Sequence, residues 1–510
     1  MISRVSGLVR EQLVTALLGA TFWGDAYATA YRIPNLLRDL FGEGALSSAF
    51  VPVFATALAK EGRPRAHEVA HRTLGNLLVV VGLVVALGIV FAPEIVAVLG
   101  QGFPPQKAVA ATGLTRLMMP FLLVVSVSAL AMGVLNAEAL YGAPASASTI
   151  FNLIAIVIGA VLYLLHFELG PAATGWAIGV LLGGLGGIAL QLPPLWRTGF
   201  RPRVQLDLRL RDPHVRQIAR LMVPAVLGVA ATNVNVAVSS SLASHVEGAQ
   251  VWLNSAFRLL HLPIGVFGVA IGTISATQLA RRVAEGDHLG LRRELADGVR
   301  LLSVFTLPAT AGLIALAEPT IRLIYQHGLF SAPSTRATAG ALACYAVGLW
   351  AYASIKVFAP AFYALGETRV PMLASLGSMA ANVTACVLLY PHLGHRGLAL
   401  AASLAAITNV AVLALVFRRR HGGLGGHGVG STSARAGLAA LLMGIGVWGL
   451  QDSLVAALGE QHTWQRLIAV LVPIAAGGGL YVALLRLLRV EEASAILGLL
   501  GRLRRKLLRR

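Results

Sequence analysis

The chain has 510 residues, 56% hydrophobic and only 12% charged, with a formal net charge of +19. Soluble globular proteins carry about a quarter of their residues as charges, so this balance, with a mean hydropathy of +0.75, excludes that class. The positive charge does not read as a nucleic-acid footprint either, because the arginines gather in short breaks between apolar runs and at the C-terminus, as the positive-inside rule describes.

Apolar runs of about twenty residues recur along the whole length, which is the mark of transmembrane helices. In chain order, spans are predicted over 2–20, 23–59, 73–99, 112–140, 146–166, 172–196 and 214–244, then over 250–280, 295–317, 337–364, 370–390, 395–417, 434–456 and 464–488. The expectation is an all-α polytopic membrane protein of about fourteen transmembrane helices. No short apolar segment followed by a small-residue cleavage site and a soluble body is present, so no cleavable signal peptide is expected.

Orientation follows from the breaks. Lys60, Arg63, Arg65 and Arg72 lie between the second and third spans, seven arginines lie between Arg197 and Arg220, and Arg418, Arg419 and Arg420 end the twelfth span. The alternate breaks are poor in Lys and Arg, which places both termini in the cytoplasm. The longest outer break, Glu318–Arg336, has room for a short surface helix. The stretch 421–433 is glycine-rich and reads as a flexible linker to an appended helix pair over 434–489. The tail, 490–510, alternates leucines with arginines, and is either an amphipathic helix on the anionic inner leaflet or a solubilising basic end.

An internal match relates the two halves. Arg32 with Phe41 and Gly42 corresponds to Arg258 with Phe267 and Gly268 at identical spacing. Leu135–Ala137 with Pro144 corresponds to Phe362–Ala364 with Pro371 at nearly the same offset. The offset covers six helices, so both copies have one orientation, as in parallel transporter repeats. Two six-helix lobes are therefore expected, 1–212 and 213–420, enclosing a cavity that opens to either side.

The polar content of the spans points to what such a cavity holds. A charge at the bilayer centre costs about 2.5–3.5 kcal/mol on insertion scales, yet the first two spans carry Arg4, Arg10, Glu11, Asp25, Arg32, Arg38, Asp39 and Glu43. Asp25, Arg32 and Asp39 are seven apart and share one helix face, and Pro34 is expected to kink that helix. Arg258 sits in the eighth span and Lys356 in the tenth. Asp39 and Glu43 either pair with neighbours to lock helices or take part in gating or ion coupling, together with Glu11 and Lys356. Arg4 either snorkels to the interface or faces the cavity. Arg10 and Arg258 are deep and belong to different lobes. Arginine offers five donors in a planar fork that fits phosphate oxygens, so the pattern suits an anionic diphosphate.

Other polar residues are less specific. Asn152, Asn233, Asn235, Asn382 and Asn409 read as inter-helix hydrogen bonds, and Gly183, Gly184, Gly186 and Gly187 as close-packing positions. Cys344 and Cys386 lie in different spans and read as small core residues. His245, His261 and His395 lack metal-ligand spacing, and there is no Walker motif, nucleophile elbow or HExxH. Neither an enzyme, a cofactor nor a bound metal is expected.

At these residues the sequence resembles the MurJ/MviN family of lipid II flippases, within the MOP transporter superfamily. The resemblance is carried by SRVSGLVRE (Ser3–Glu11), by DAYATAYRIPNLLRDLFGEGALSSAFVP (Asp25–Pro52), by FRLLHLPIGVFGVAIGT (Phe257–Thr273) and by KVFAPAFYALGETRVP (Lys356–Pro371). It covers the whole chain. It implies two lobes around a cationic cavity and export of lipid II, the undecaprenyl-diphosphate-linked peptidoglycan precursor, to the outer leaflet. The family's essential cavity arginines fall on Arg4, Arg10 and Arg258, its span-two acid on Asp25 and its following arginine on Arg38. The last two helices correspond to a groove for the lipid tail. Phe257 stands where the family often has an acid, which removes one expected carboxylate neighbour of Arg258.

The expected partners are lipid II and membrane lipids, with cell-wall synthesis or division proteins as further candidates, and no nucleic acid. Three rivals stay open: a flippase for another polyprenyl-diphosphate-linked oligosaccharide, a multidrug exporter of the same superfamily, and a non-transporting scaffold for cell-wall enzymes. A drug exporter for cations wants acids in its cavity, and a scaffold needs no deep charge.

Overall fold

The computed structural model describes residues 2–41 and 45–492, and among these every regular element is helical. The chain opens with α1 (Ile2–Leu18), α2 (Phe22–Phe41), α3 (Ala45–Glu61), α4 (Arg63–Val90) and α5 (Ala92–Leu99). Next come α6 (Pro105–Met118), α7 (Phe121–Ala137), α8 (Gly142–Leu164), α9 (Leu169–Arg197) and α10 (Pro213–Ala243). A second series follows: α11 (Ala249–Pro263), a π-helical turn at Ile264–Gly268, α12 (Val269–Ala284), α13 (His288–Ala315), α14 (Ala317–Tyr325) and α15 (Ala332–Ala346). It ends with α16 (Leu349–Ala364), α17 (Arg369–Leu393), α18 (His395–His421), α19 (Val429–Leu458) and α20 (Thr463–Leu487).

Every expected span has a helical counterpart, but several are broken. Within the long stretch 23–59 the described residues form α2 and α3, with 42–44 outside the described residues, and α2 continues through Pro34. The runs 73–99 and 112–140 divide at Phe91 and at Met119–Pro120, where Pro93 and Pro120 lack the amide hydrogen that would continue the ladder. The run 337–364 is α15 and α16, bent by 40°. Among the described residues ten helices are long and apolar enough to cross a membrane, or eleven if that bent pair is one span. α1 to α3 and α10 are not in that set, so length and apolarity among the described residues do not reach fourteen. The short helix expected in the outer break is α14.

Side-chain exposure follows the helical period. On α4, Val79, Val80, Leu83, Leu87 and Val90 are exposed, while Leu77, Val81, Val85 and Gly88 are buried. An apolar stripe of that kind belongs against hydrocarbon. The chain is a multi-pass membrane protein.

Packing separates two compact units. One contains the chain to Val251 with His327–Ser331, and the other contains Trp252–Gln326 with the chain from Ala332 on. This division falls one helix beyond the 212/213 boundary read from the repeat. In the first unit, α9 lays its glycines against α8: a Cβ at Gly183 would sit 2.8 Å from the Phe151 carbonyl oxygen. Asn152 on α8 donates to the Ser3 carbonyl at 3.1 Å and to Ser6 Oγ at 3.2 Å, pinning α1. At the other end of α1, Gly19 turns with φ +61 beneath Leu329, whose amide donates to the Ala16 carbonyl at 3.0 Å.

The arginine-rich connection after α9 is ordered by charge pairing. Arg65 and Arg72 of α4 both reach the buried Asp212 carboxylate at 3.0 Å, and Asp212 also caps α10 by accepting from the His214 amide at 2.9 Å. Asp207 accepts from the Arg211 and Asp212 amides, each at 2.9 Å. In the second unit, Tyr481 of α20 donates to the Val304 carbonyl of α13 at 2.8 Å, and Arg300 of α13 pairs with Glu491 and Glu492. The connection between α18 and α19 is shorter than the glycine-rich stretch suggested, 422–428, and Arg420 and His421 before it both bind Glu367. Of the basic tail, 493–510 lies outside the described residues.

Candidate substrate-binding site

Arg10 is the best-defined cation of the first unit. It lies about two turns into α1, only 8% exposed. Its guanidinium faces Phe151 of α8 at 5.0 Å and Tyr31 of α2 at 5.9 Å from the ring centroids, and it donates a hydrogen bond to Tyr31. Tyr27 stacks on Tyr31 at 5.8 Å and accepts from the Trp176 indole at 3.0 Å. The close α8–α9 packing positions Phe151, so the glycines of α9 act on Arg10 through that ring. Aromatic faces attract a cation without neutralising it. Arg10 forms no ion pair with any described residue, and its charge stays available to an anion. Glu11, its sequence neighbour, is half-buried.

Asp25 occupies a different environment from that of a ligand. It is fully buried, and Oδ2 accepts from Lys107 Nζ and from the Gly248 amide, both at 2.7 Å. Lys107 is itself 3% exposed and is covered by Phe103 at 4.9 Å and Phe22 at 5.8 Å. This pair joins α2 to α6 and to the turn before α11. Thr29 and Gln250 add a buried 2.7 Å bond between α2 and α11. In the sequence Lys107 falls between the apolar runs 73–99 and 112–140. The available signal was its isolation at the depth of Asp25, a match of two lone opposite charges in otherwise apolar surroundings.

In the second unit, Arg258 is half-buried on α11. It and Lys356 of α16 both act electrostatically on His261. Phe257 packs edge-on against His261 at 4.4 Å and against Tyr345 at 5.1 Å. Phe257 therefore fills an aromatic contact at the position where an acid was considered. The Lys356 side chain is exposed, and its backbone is held close to α12, where a Cβ at Gly272 would lie 2.7 Å from the Lys356 carbonyl oxygen. The π turn directly follows Pro263, within two turns of Arg258. Such insertions often mark functional stretches.

The remaining residues are distributed as follows. Arg32 and Arg38 of α2 are half-buried. The side chains of Arg4 and Asp39, and all of Glu43, lie outside the described residues. Sequence reasoning missed the aromatic enclosure of Tyr27, Tyr31, Phe151 and Trp176, since a lone aromatic on an apolar helix reads as packing. No described group of three His, Cys, Asp or Glu could hold a metal ion.

Arg10 is thus a deep guanidinium with aromatic surroundings and no ion pair among the described residues. A family model described as "Lipid II flippase MurJ" matches residues 14–463. The chain belongs to the MurJ family of lipid II flippases. It is 33% identical over 425 residues to a protein of Burkholderia cenocepacia named lipid II flippase MurJ, covering 82% of each chain. It is 35% identical to one of Rhizobium meliloti named probable lipid II flippase MurJ, covering 82% of this chain and 79% of that one. A solved structure of a lipid II flippase MurJ in an inward closed conformation superposes with a TM-score of 0.76 at 23% identity, covering 95% of this chain and 97% of that one. An inward-facing multidrug MATE transporter of the MOP superfamily gives 0.69 at 16% identity, covering 83% and 96%. These likenesses establish a shared fold, that of MurJ and of the wider superfamily.

Proposed function

We propose that this MurJ-family chain carries lipid II across the cytoplasmic membrane, from the inner to the outer leaflet, with both of its termini in the cytoplasm and without catalysing a covalent step. The observation that carries the reading is Arg10: buried, cradled by Tyr31 and Phe151, and without an ion-pair partner among the described residues. A guanidinium in that state favours a diphosphate, which it can grip through two parallel hydrogen bonds. Arg4 and Arg258 complete the cationic set, and Arg32 and Arg38 extend it. Asp25 acts indirectly, by holding α2, α6 and the turn at Gly248 together. Glu11, Asp39, Glu43 and Lys356 are the gating or ion-coupling residues.

In this mechanism the diphosphate and sugars enter from the cytoplasm and neutralise arginines contributed by both repeats. Loss of their mutual repulsion favours closure on the inner side and opening on the outer side. The substrate drives the change only by binding the two states differently. The polyprenyl tail follows the lipid-exposed surface of α19 and α20.

The test is complementation. The chain is expressed in a bacterium depleted of its own lipid II flippase, and growth and outer-leaflet lipid II are followed. Rescue is expected, with loss of rescue in Arg10→Ala and Arg258→Ala at normal membrane levels. Near-normal growth of either variant would remove the arginine assignment. Failure of the unmutated chain at normal levels would remove lipid II as the substrate.

A further inference from the structure

The second unit contains a cavity of about 1020 Å³ whose charged end the transport reading does not use; its apolar end includes part of α19, along which that reading runs the polyprenyl tail. Its walls come from α13, α14, α15 and α19, with Arg396 at the start of α18. Its size lies at the upper end of ligand-binding cavities, roughly 300–1,000 Å³.

The cavity is divided by polarity along its length. Leu307 and Ala311 of α13 face Gly437, Ala440, Leu441 and Ile445 of α19 at one end. At the other end lie Arg322, Arg336, Arg396, Glu318, Asp452 and Glu460. The polar end is the end of α19 remote from Arg418–Arg420, and Trp448 marks its boundary in the way interfacial tryptophans do. Leu441, Ile445 and Trp448 are each about 60% exposed, so this wall is open sideways to hydrocarbon.

The charges at the polar end are not equivalent. Arg322 is neutralised by Glu318 at 2.6 Å and by Glu460. Arg336 and Arg396 form no ion pair with any described residue. They are also brought together: Gly340 lies one helical turn after Arg336 on α15, and the Arg396 guanidinium lies against the bare face of Gly340, where a Cβ would collide with it. Two arginines side by side without a carboxylate between them repel one another unless an anion joins them. Their fork geometry suits phosphate oxygens.

We propose that this cavity is a binding site for a resident phosphoglycerolipid, with its phosphate on Arg336 and Arg396 and an acyl chain along Leu441 and Ile445. The occupant is an outer-leaflet lipid of the membrane itself, distinct from the transported substrate. Gly340 is the residue that makes room for the pair.

The experiment uses the full chain, purified and delipidated in detergent, with phosphatidylglycerol added and bound lipid counted by native mass spectrometry. One molecule per chain is expected. Arg336→Gln and Arg396→Gln, both exposed positions, are each expected to weaken binding about tenfold, the loss that goes with one charge-assisted contact. Ile445→Trp, which fills the apolar wall and leaves the arginines in place, is expected to weaken it as well. Inorganic phosphate at equal concentration is expected to leave the lipid bound. Equal binding by the unmutated chain and both arginine variants would overturn the proposal. Full displacement by inorganic phosphate would make this a free-anion site, and displacement by an equal amount of undecaprenyl diphosphate would assign the cavity to the transported lipid; either result removes the resident phosphoglycerolipid.

Discussion

Replacing Lys107 by methionine tests how the buried charge pair of the first unit works. The substitution keeps length and apolar packing against Phe103 and Phe22 but removes the cation 2.7 Å from Asp25. Removing one partner of a buried pair costs about 3–5 kcal/mol, because the other charge stays desolvated. The Gly248 amide still donates to Asp25, and a hydrogen bond to a charged group retains about 1.5–3 kcal/mol, so the loss is expected near the lower end, about 3 kcal/mol. Asp25→Leu alone is expected to cost a similar amount by stranding Lys107 in the same apolar pocket. The double variant removes both charges and is expected to lie within about 1 kcal/mol of the parent, since hydrophobic replacement of a buried pair is often neutral. The assay is reversible unfolding of the purified protein in mixed micelles, arranged as a double-mutant cycle. Outer-leaflet lipid II in the complemented strain is the second readout. Additive losses, with the double variant as unstable as the two singles summed, would refute the reasoning. Recovery of stability without recovery of transport would show that Asp25 acts on the substrate directly rather than by holding helices.

Further outcomes follow from the packing and the charges. Gly159→Val should destabilise the first unit by about 1–3 kcal/mol, the usual cost of overpacking, because a Cβ there collides with the Trp176 ring; it should also weaken transport through displacement of Tyr27. Asp212→Ala should cost about 0.5–2 kcal/mol through loss of the α10 cap, since Arg65 and Arg72 still keep Glu68, and limited proteolysis of the connection before α10 should accelerate. Burial raises the Asp207 carboxyl, but the Asp212 and Arg211 amides and the charges of Arg72 and Arg211 outweigh it and hold it below the usual carboxylate range. A depressed folded-state value means that its stabilisation is present above the ordinary Asp value near 3.9 and is lost as pH falls through the folded value. Asp207→Asn should therefore flatten the acid limb of a stability–pH profile and leave the neutral region with a constant offset. Tyr481→Phe should cost about 0.5–1.5 kcal/mol through the lost bond to Val304, read as earlier thermal release of α20 from α13.

Much of the architecture was readable from apolar runs, because a segment that must satisfy its own backbone in lipid has little choice but a helix. That argument sets which stretches are helical, and all the expected spans have helices. It is silent on breaks: 337–364 reads as one apolar run, and only the folded chain divides it into α15 and α16, bent by 40°. The arginines stood out because charge is rare in such surroundings, and Asn152 and the α9 glycines were legible as helix joints for the same reason. What surrounds each charge was not legible. Asp25 and Arg10 look alike in the sequence as lone ionisable residues in apolar spans. Tertiary contacts give Asp25 a lysine from 82 residues away and give Arg10 aromatic rings and, among the described residues, no ion pair. Whether a buried charge is neutralised or kept available depends on which distant side chain packs against it, and no local pattern carries that information. The sequence by itself determined that this chain is a helical membrane protein with deep positive charge. Only the tertiary structure decided which of those charges are already paired, because pairing is set by helix packing rather than by spacing along the chain.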